Sequence, residues 1–238
     1  MVGVDGKVGS RDPSRVTQLR AVAERVINDM DYAAALQANL RRMGSTDLAS
    51  AFDNTPHVKA LNVIYLALLD QLILVLMRMY DKHDVRRKND KASLRSIQSL
   101  LKDEYVQANL IAEAAQRWPS PQGIARAREA ARKRLTDIIE GVDDVLSQAP
   151  FEAWLKSLRE YRDVFIGHSL VKELRRAPIY ASIGEILNKT LEIGQNLQLI
   201  TQHRAPDWKQ AWRARQGEAR CFWDTVVLGT HSRETGQT

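Results

Sequence analysis

The chain has 238 residues, near the upper end for one domain, and its 44% hydrophobic and 27% charged content suits a water-soluble globule and excludes a wholly disordered chain. Lys and Arg outnumber Asp and Glu by 35 to 29, a formal charge of +6 that fits either a solvated basic surface or a polyanionic partner. The single cysteine, Cys221, excludes an intramolecular disulfide framework and a cysteine-built zinc site, and residues 1–11 lack an apolar stretch, so a reducing, cytoplasmic location without a secretory signal is expected.

Pro13, Pro56, Pro121, Pro150, Pro178 and Pro206 each precede or open a helix-like run, and no stretch shows convincing β alternation, so the fold class is all-α. One helical domain is expected over residues 13–227, between flexible tails at 1–12 and 228–238. The first helix, Pro13 to Met43, carries Val16, Leu19, Ala23, Val26, Ile27 and Met30 at three- and four-residue steps, with Asp31 as a point where it could break. The second, Pro56 to Tyr80, is apolar around most of its circumference, as in the central helix of a bundle or a bilayer span. Its apolar stretch from Leu61 to Met77 is 17 residues and includes Asn62, Asp70 and Gln71. A crossing needs about 20 apolar residues, so no stable membrane insertion is expected. Asp70 then needs a partner on a neighbouring helix, because an unpaired buried carboxylate is costly.

Residues Asp81 to Lys91 read as a solvated connector, with phosphate contact by Arg86, Arg87 and Lys88 as the alternative; Leu94, Ile97, Leu100 and Leu101 then resume helical spacing. Beyond Ser120-Pro121, Ile124, Ala131, Ile138 and Val145 recur every seven residues, with Leu135 and Val142 between them. Arg126, Arg128, Arg132, Lys133 and Arg134 interrupt that pattern, so this helix is both a packing element and a basic surface. Phe151, Trp154, Leu155, Leu158 and Phe165 form the next stripe. Ile183, Ile186, Leu187, Ile193, Leu197 and Ile200 form another, with Ser182 and Glu185 at capping-box spacing. The last helix carries Trp208, Trp212, Ala219, Phe222, Trp223 and Val226, an aromatic stripe assigned to packing.

Several chemistries lack their spacings: there is no phosphate-cradling loop, dinucleotide fingerprint, H-E-x-x-H helix or nucleophile elbow. The five histidines are far apart, so neither a metal site nor a cofactor is expected. What remains is YRDVFIGHS, residues 161 to 169. His168 can exchange a proton with a ribose 2′-hydroxyl or a leaving 5′-oxygen near neutral pH. Arg162 offers a fork of donors to a phosphate, and Asp163 can orient either group. With 24 arginines and five histidines, about 1.5 chance matches to an arginine, four to six intervening residues and then a histidine are expected, or roughly 0.15 once Asp or Asn must follow the arginine. The looser pattern also occurs at Arg78 and His83; only Arg162 satisfies the stricter one.

On these residues the chain resembles the HEPN superfamily (higher eukaryotes and prokaryotes nucleotide-binding domains), in its abortive-infection branch. Arg162, Asp163 and His168 match that family's motif of Arg, a polar residue and His on a late helix. The helix LNVIYLALLDQLILVLMRMYD with the polar loop after it is similar to the branch's early helix. The resemblance spans residues from about 56 to 200. It implies an up-and-down helical bundle with additional terminal helices, acting on RNA as a metal-independent endoribonuclease of toxin or antiviral type. It also implies a homodimer that pairs two motifs in one cleft, and an antitoxin protein as a further partner. A related branch is silenced by nucleotide transfer to a tyrosine two residues after the histidine; Leu170 stands there in this chain.

On a straight α-helix Arg162 and His168 would be about 120° and about 9 Å apart. Either Gly167 relaxes the helix, or a second protomer completes the site, which we favour. Lys172, Arg175 and Arg176 would line its entrance, and Arg126, Arg128 and Arg132 would add RNA contacts. A non-catalytic helical module that binds RNA, a nucleotide or a protein remains the alternative.

Overall fold

A computed structural model describes residues 12–53, 55–81, 92–166, 180–204 and 207–234. It is all-α, with no strand among the described residues. The helices are α1 (Ser14–Met43), α2 (Thr46–Phe52), α3 (Val58–Tyr80), α4 (Leu94–Leu101), α5 (Glu104–Gln116), α6 (Pro121–Ser147), α7 (Phe151–Tyr161), α8 (Tyr180–Gln202) and α9 (Trp208–Glu234), with a π-helical turn at Arg162–Ile166. The chain divides into two compact units: Met1–Ile27, Met79–Gln148 and Glu192–Ala205 form the first, and Asn28–Arg78, Ala149–Leu191 and Pro206–Thr238 the second.

In the first unit α4, α5 and α6 pack on one another. The seven-residue pattern of α6 does what its spacing requires: Ala131, Leu135, Ile138, Val142 and Val145 are buried, against a core that includes Leu94, Ile97, Leu101, Val106 and Leu110. Gly141 lies where a Cβ would stand 3.0 Å from Ile193 Cγ1, so any larger residue there would require Ile193 to give by a few tenths of an ångström. Ser120 caps α6 by accepting from the Gly123 amide at 3.1 Å, with Pro121 in the first turn. The apolar spacing after Leu94 does not make one helix. The chain breaks at Lys102 and restarts at Asp103, which accepts from the amides of Tyr105 (2.8 Å) and Val106 (3.3 Å) and pairs with Arg15.

In the second unit Met43, Leu48, Phe52 and Trp223 form a buried cluster, flanked by Leu61, Tyr65, Leu68 and Val226. The short helix α2, which supplies two of these, carries too few residues for periodicity to reveal it. Trp223 donates from Nε1 to Asn39 Oδ1 at 3.0 Å, so this aromatic is core as expected, whereas Phe222 is 57% exposed. Arg42 ties the cluster's rim together, donating to Asp47 (2.7 Å) and from Nε to Asp224 (3.1 Å), and its guanidinium holds Asp47 down to a pKa of about 2. Helix α1 does not break at Asp31, because Arg215 donates to both Asp31 oxygens (2.7 and 3.3 Å) and leaves the backbone helical. Ser182 does not cap α8: it lies inside the helix and is buried, facing the core. Helix α9 runs on to Glu234, past residue 227, since nothing between them stops backbone hydrogen bonding as proline would.

Helix α3 departs from its expected central position. Leu72, Ile73, Val75, Leu76 and Met77 are buried, but Val63 is 67%, Ile64 44% and Leu66 54% exposed. By length and composition this helix could cross a membrane: its most apolar 18-residue window has a mean hydropathy of 2.1, and 28% of that window is buried in the protein. Near its end Arg78 donates from Nε to Asp29 Oδ2 at 2.8 Å and also bonds Oδ1, so the competing Arg78 is committed to a buried carboxylate. Arg78→Ala removes that fork and is expected to lower unfolding free energy by about 1–3 kcal/mol in urea titrations, the range for disrupting a charge-assisted pair with one half-exposed partner.

Candidate functional site

The site is built from α7 outward. Phe151 and Trp154 meet edge to face with ring centroids 5.4 Å apart, and Leu155 and Leu158 are buried beneath them. Steps of three and four residues carry this stripe from Leu155 through Leu158 to Arg162, so a guanidinium occupies the next inward-facing position. Its side chain is accordingly only 26% exposed, while that of Asp163 is 59% exposed. Arg162 donates from Nε to Asp163 Oδ1 at 2.8 Å. At a surface this pair adds little stability; its effect is to fix the plane of the guanidinium. Of the two groups that Asp163 could orient, Arg162 is the one that lies among the described residues.

The backbone changes where the motif begins. From Arg162 to Ile166 its hydrogen bonds take the i→i+5 form. Each residue there advances by less than the 100° of an α-helix, so ideal α-helical geometry ends at Arg162. Gly167, one of the two ways the sequence offered for bringing the motif together, lies outside the described residues. His168, Lys172, Arg175 and Arg176 lie outside the described residues, as does His83.

One residue ahead of the motif, Tyr161 donates its hydroxyl to Asp70 Oδ1 at 2.8 Å. Here is the neighbouring-helix partner that Asp70 requires. Burial, then the hydrogen bond to Asp70 and its charge, push the Tyr161 phenol up to about 12, so it stays a donor throughout the working pH range. The bond ties α7 to α3 within the second unit, immediately before Arg162. Sequence reasoning missed Tyr161, which carries no motif and is 91 residues from Asp70.

Helix α6 does not gather Arg126, Arg128 and Arg132 into one cluster. At 100° per residue Arg128 and Arg132 lie about 200° and 240° around the helix from Arg126. They line a cavity of about 390 Å³ with Glu104 and Gln107 of α5, while Arg126 lines another of about 510 Å³. The second also takes Arg117, Trp118, Arg134 and His203, none of which the motif search had singled out as a ligand contact. Arg134 was legible, being eight residues beyond Arg126 on the same side.

These all-α units, with an arginine-led motif at the end of a late helix, define an HEPN-type protein. The family model HEPN_AbiU2, described as AbiU2, matches residues 15–220. The chain belongs to that family, in the abortive-infection-like branch of the HEPN superfamily. The match extends past both ends of the 56–200 span and takes in α1 and the first half of α9. No curated protein and no solved structure matches the chain.

Proposed function

We propose that this protein is a metal-independent endoribonuclease of the HEPN type, serving as an antiviral abortive-infection factor. His168 moves the proton of the attacking 2′-hydroxyl or of the leaving 5′-oxygen. Arg162, its plane held by Asp163, holds the phosphate as negative charge builds on it. Attack of the 2′-oxygen on the adjacent phosphorus breaks the bond to the 5′-oxygen and leaves a 2′,3′-cyclic phosphate and a 5′-hydroxyl. The observation that carries this reading is the π-helical turn opening at Arg162, with Asp163 on its guanidinium and Tyr161 anchored to Asp70 beside it. π-Turns inside helices recur at functional sites, where they re-aim side chains.

The partner we propose is a second copy, seated on the exposed apolar half of α3. Val63, Ile64 and Leu66 are on the helix that the Asp70–Tyr161 bond joins to the motif segment, so the apolar face and Arg162 share one unit. A two-fold axis there presents each motif twice around one groove and takes the apolar face out of water. It would also leave α3 outside any bilayer.

Incubation of the purified full chain with total RNA in excess chelator tests the activity. Cleavage that disappears in His168→Ala supports the enzyme; RNA left intact by the wild type favours the non-catalytic module. The basic residues make a separate prediction. Reversing Arg128 and Arg132 to Glu is expected to weaken RNA binding and to flatten the slope of log affinity against log salt by about two contacts' worth; an unchanged slope would remove α6 from the RNA path.

A further inference from the structure

The cavity beside Trp118 has no part in the reaction above. At about 510 Å³ it is within the roughly 300–1,000 Å³ span of small-molecule sites. Arg117 at the end of α5 and Arg126 and Arg134 on α6 line it, and no Asp or Glu does. Among the described residues none of these three arginines is ion-paired with a carboxylate, unlike Arg15, Arg42, Arg78 and Arg215. Glu113 reaches His203 at its edge (3.6 Å), but an excess of positive charge in a concave site still concentrates anions.

The sequence of α6 explains the shape. Arg126, Ala130 and Arg134 follow at four-residue steps, flanked by Gly123 and Ala127, so two long cationic side chains border a floor with almost no side-chain bulk. Their Cα atoms are about 12 Å apart along the axis, close enough for both guanidinium groups to reach one ligand between them. Trp118, in the connection between α5 and α6, is 55% exposed and lines the cavity, and an indole there can stack on a flat ring.

On the α8 side stands His203, at φ 55, the left-handed conformation in which helices commonly end and which histidine adopts more readily than most side chains. Burial and the charge of Arg117 lower its pKa, against the opposing pull of Glu113, so near neutral pH it is an uncharged hydrogen-bonding group.

We propose that this cavity binds a nucleoside 5′-phosphate, with the base stacked on Trp118 and the phosphate held by Arg126 together with Arg117 and Arg134. A free nucleotide and the phosphorylated 5′ end of an RNA share this chemistry. The proposal does not rest on the ribonuclease reading, since none of its residues belongs to the motif segment.

Calorimetric titration of the full chain with AMP, pyrophosphate and adenosine tests it. AMP is expected to bind saturably at one site per chain and more tightly than adenosine. The Arg126→Ala/Arg134→Ala variant should lose at least ten-fold in AMP affinity, while Arg213→Ala, which removes an exposed charge on α9, stays within two-fold of wild type. Trp118→Ala should weaken AMP at least five-fold yet leave pyrophosphate within two-fold. All these side chains are exposed or half-exposed, so the variants retain the fold, which circular dichroism checks. Displacement of AMP by a short RNA bearing a 5′-phosphate, and not by its 5′-hydroxyl form, assigns the site to RNA ends; no displacement by either assigns it to free nucleotide. Absence of AMP binding at millimolar concentration, wild-type affinity in the double arginine variant, or equal weakening of AMP and pyrophosphate by Trp118→Ala would overturn the proposal.

Discussion

His168→Ala and Arg162→Ala are each expected to lower RNA cleavage by roughly a hundred- to ten-thousand-fold, the usual contribution of a positioned proton-transfer group and of a donor aimed at developing charge. Binding of RNA should fall far less, because most affinity for a polyanion comes from many phosphate contacts and not from two residues. Loss of turnover with retained affinity is therefore the signature of a role in the reaction. The two substitutions do not carry the same structural risk. Arg162 is three-quarters covered and follows the buried stripe of Leu155 and Leu158, so its removal also disturbs packing. Arg162→Lys keeps a positive charge while losing the fork and the bond from Nε to Asp163; it should recover stability but not cleavage. Recovery of cleavage by lysine would mean that charge alone suffices, and that the orientation imposed by Asp163 is idle.

If the proposed dimer forms on α3, Val63→Asp with Leu66→Asp is expected to weaken self-association by on the order of a hundred-fold or more, leaving a monomer. Docking would bury two carboxylates per copy against their own symmetry mates, at several kcal/mol. Both side chains are more than half exposed, so the separated chain should keep its helical content and melting temperature. Sedimentation equilibrium measures the association, and RNA cleavage by the same sample should fall with it if paired motifs form the site. A variant that sediments as the wild type does would remove the exposed half of α3 from the interface.

How far the sequence reaches can be judged residue by residue. The seven-residue recurrence on α6 foretold its buried face, because helical periodicity depends only on local geometry. The need for a partner at Asp70 was equally legible, as it follows from the cost of burying charge. That the partner is Tyr161 was not, since a contact across 91 residues is a property of tertiary packing. The π-turn at Arg162–Ile166 was only partly legible: Gly167 directly after it suggested that the helix loosens nearby, but no glycine or proline lies within it to show that the change begins at Arg162. The break between α4 and α5 escaped notice because apolar spacing continues across it, although Asp103 with its side chain on two following amides is an ordinary helix start. The separation of Arg126 from Arg128 and Arg132 could have been read from the 100° step, and treating them as one patch overlooked it. Exposure of α3 ran against expectation for a physical reason: an apolar circumference shows that a surface must be covered, and does not say whether the covering comes from the same chain.

The most direct test of the central claim is the chemistry of the cut ends. Purified wild-type protein is incubated with a defined RNA in excess chelator, and the fragments are identified by mass spectrometry. Attack by the neighbouring 2′-oxygen, with His168 moving the proton and Arg162 holding the phosphate, predicts 2′,3′-cyclic phosphate and 5′-hydroxyl ends in the wild type and none in His168→Ala. Fragments ending in 3′-hydroxyl and 5′-phosphate, or cleavage that requires added divalent metal, would contradict the account.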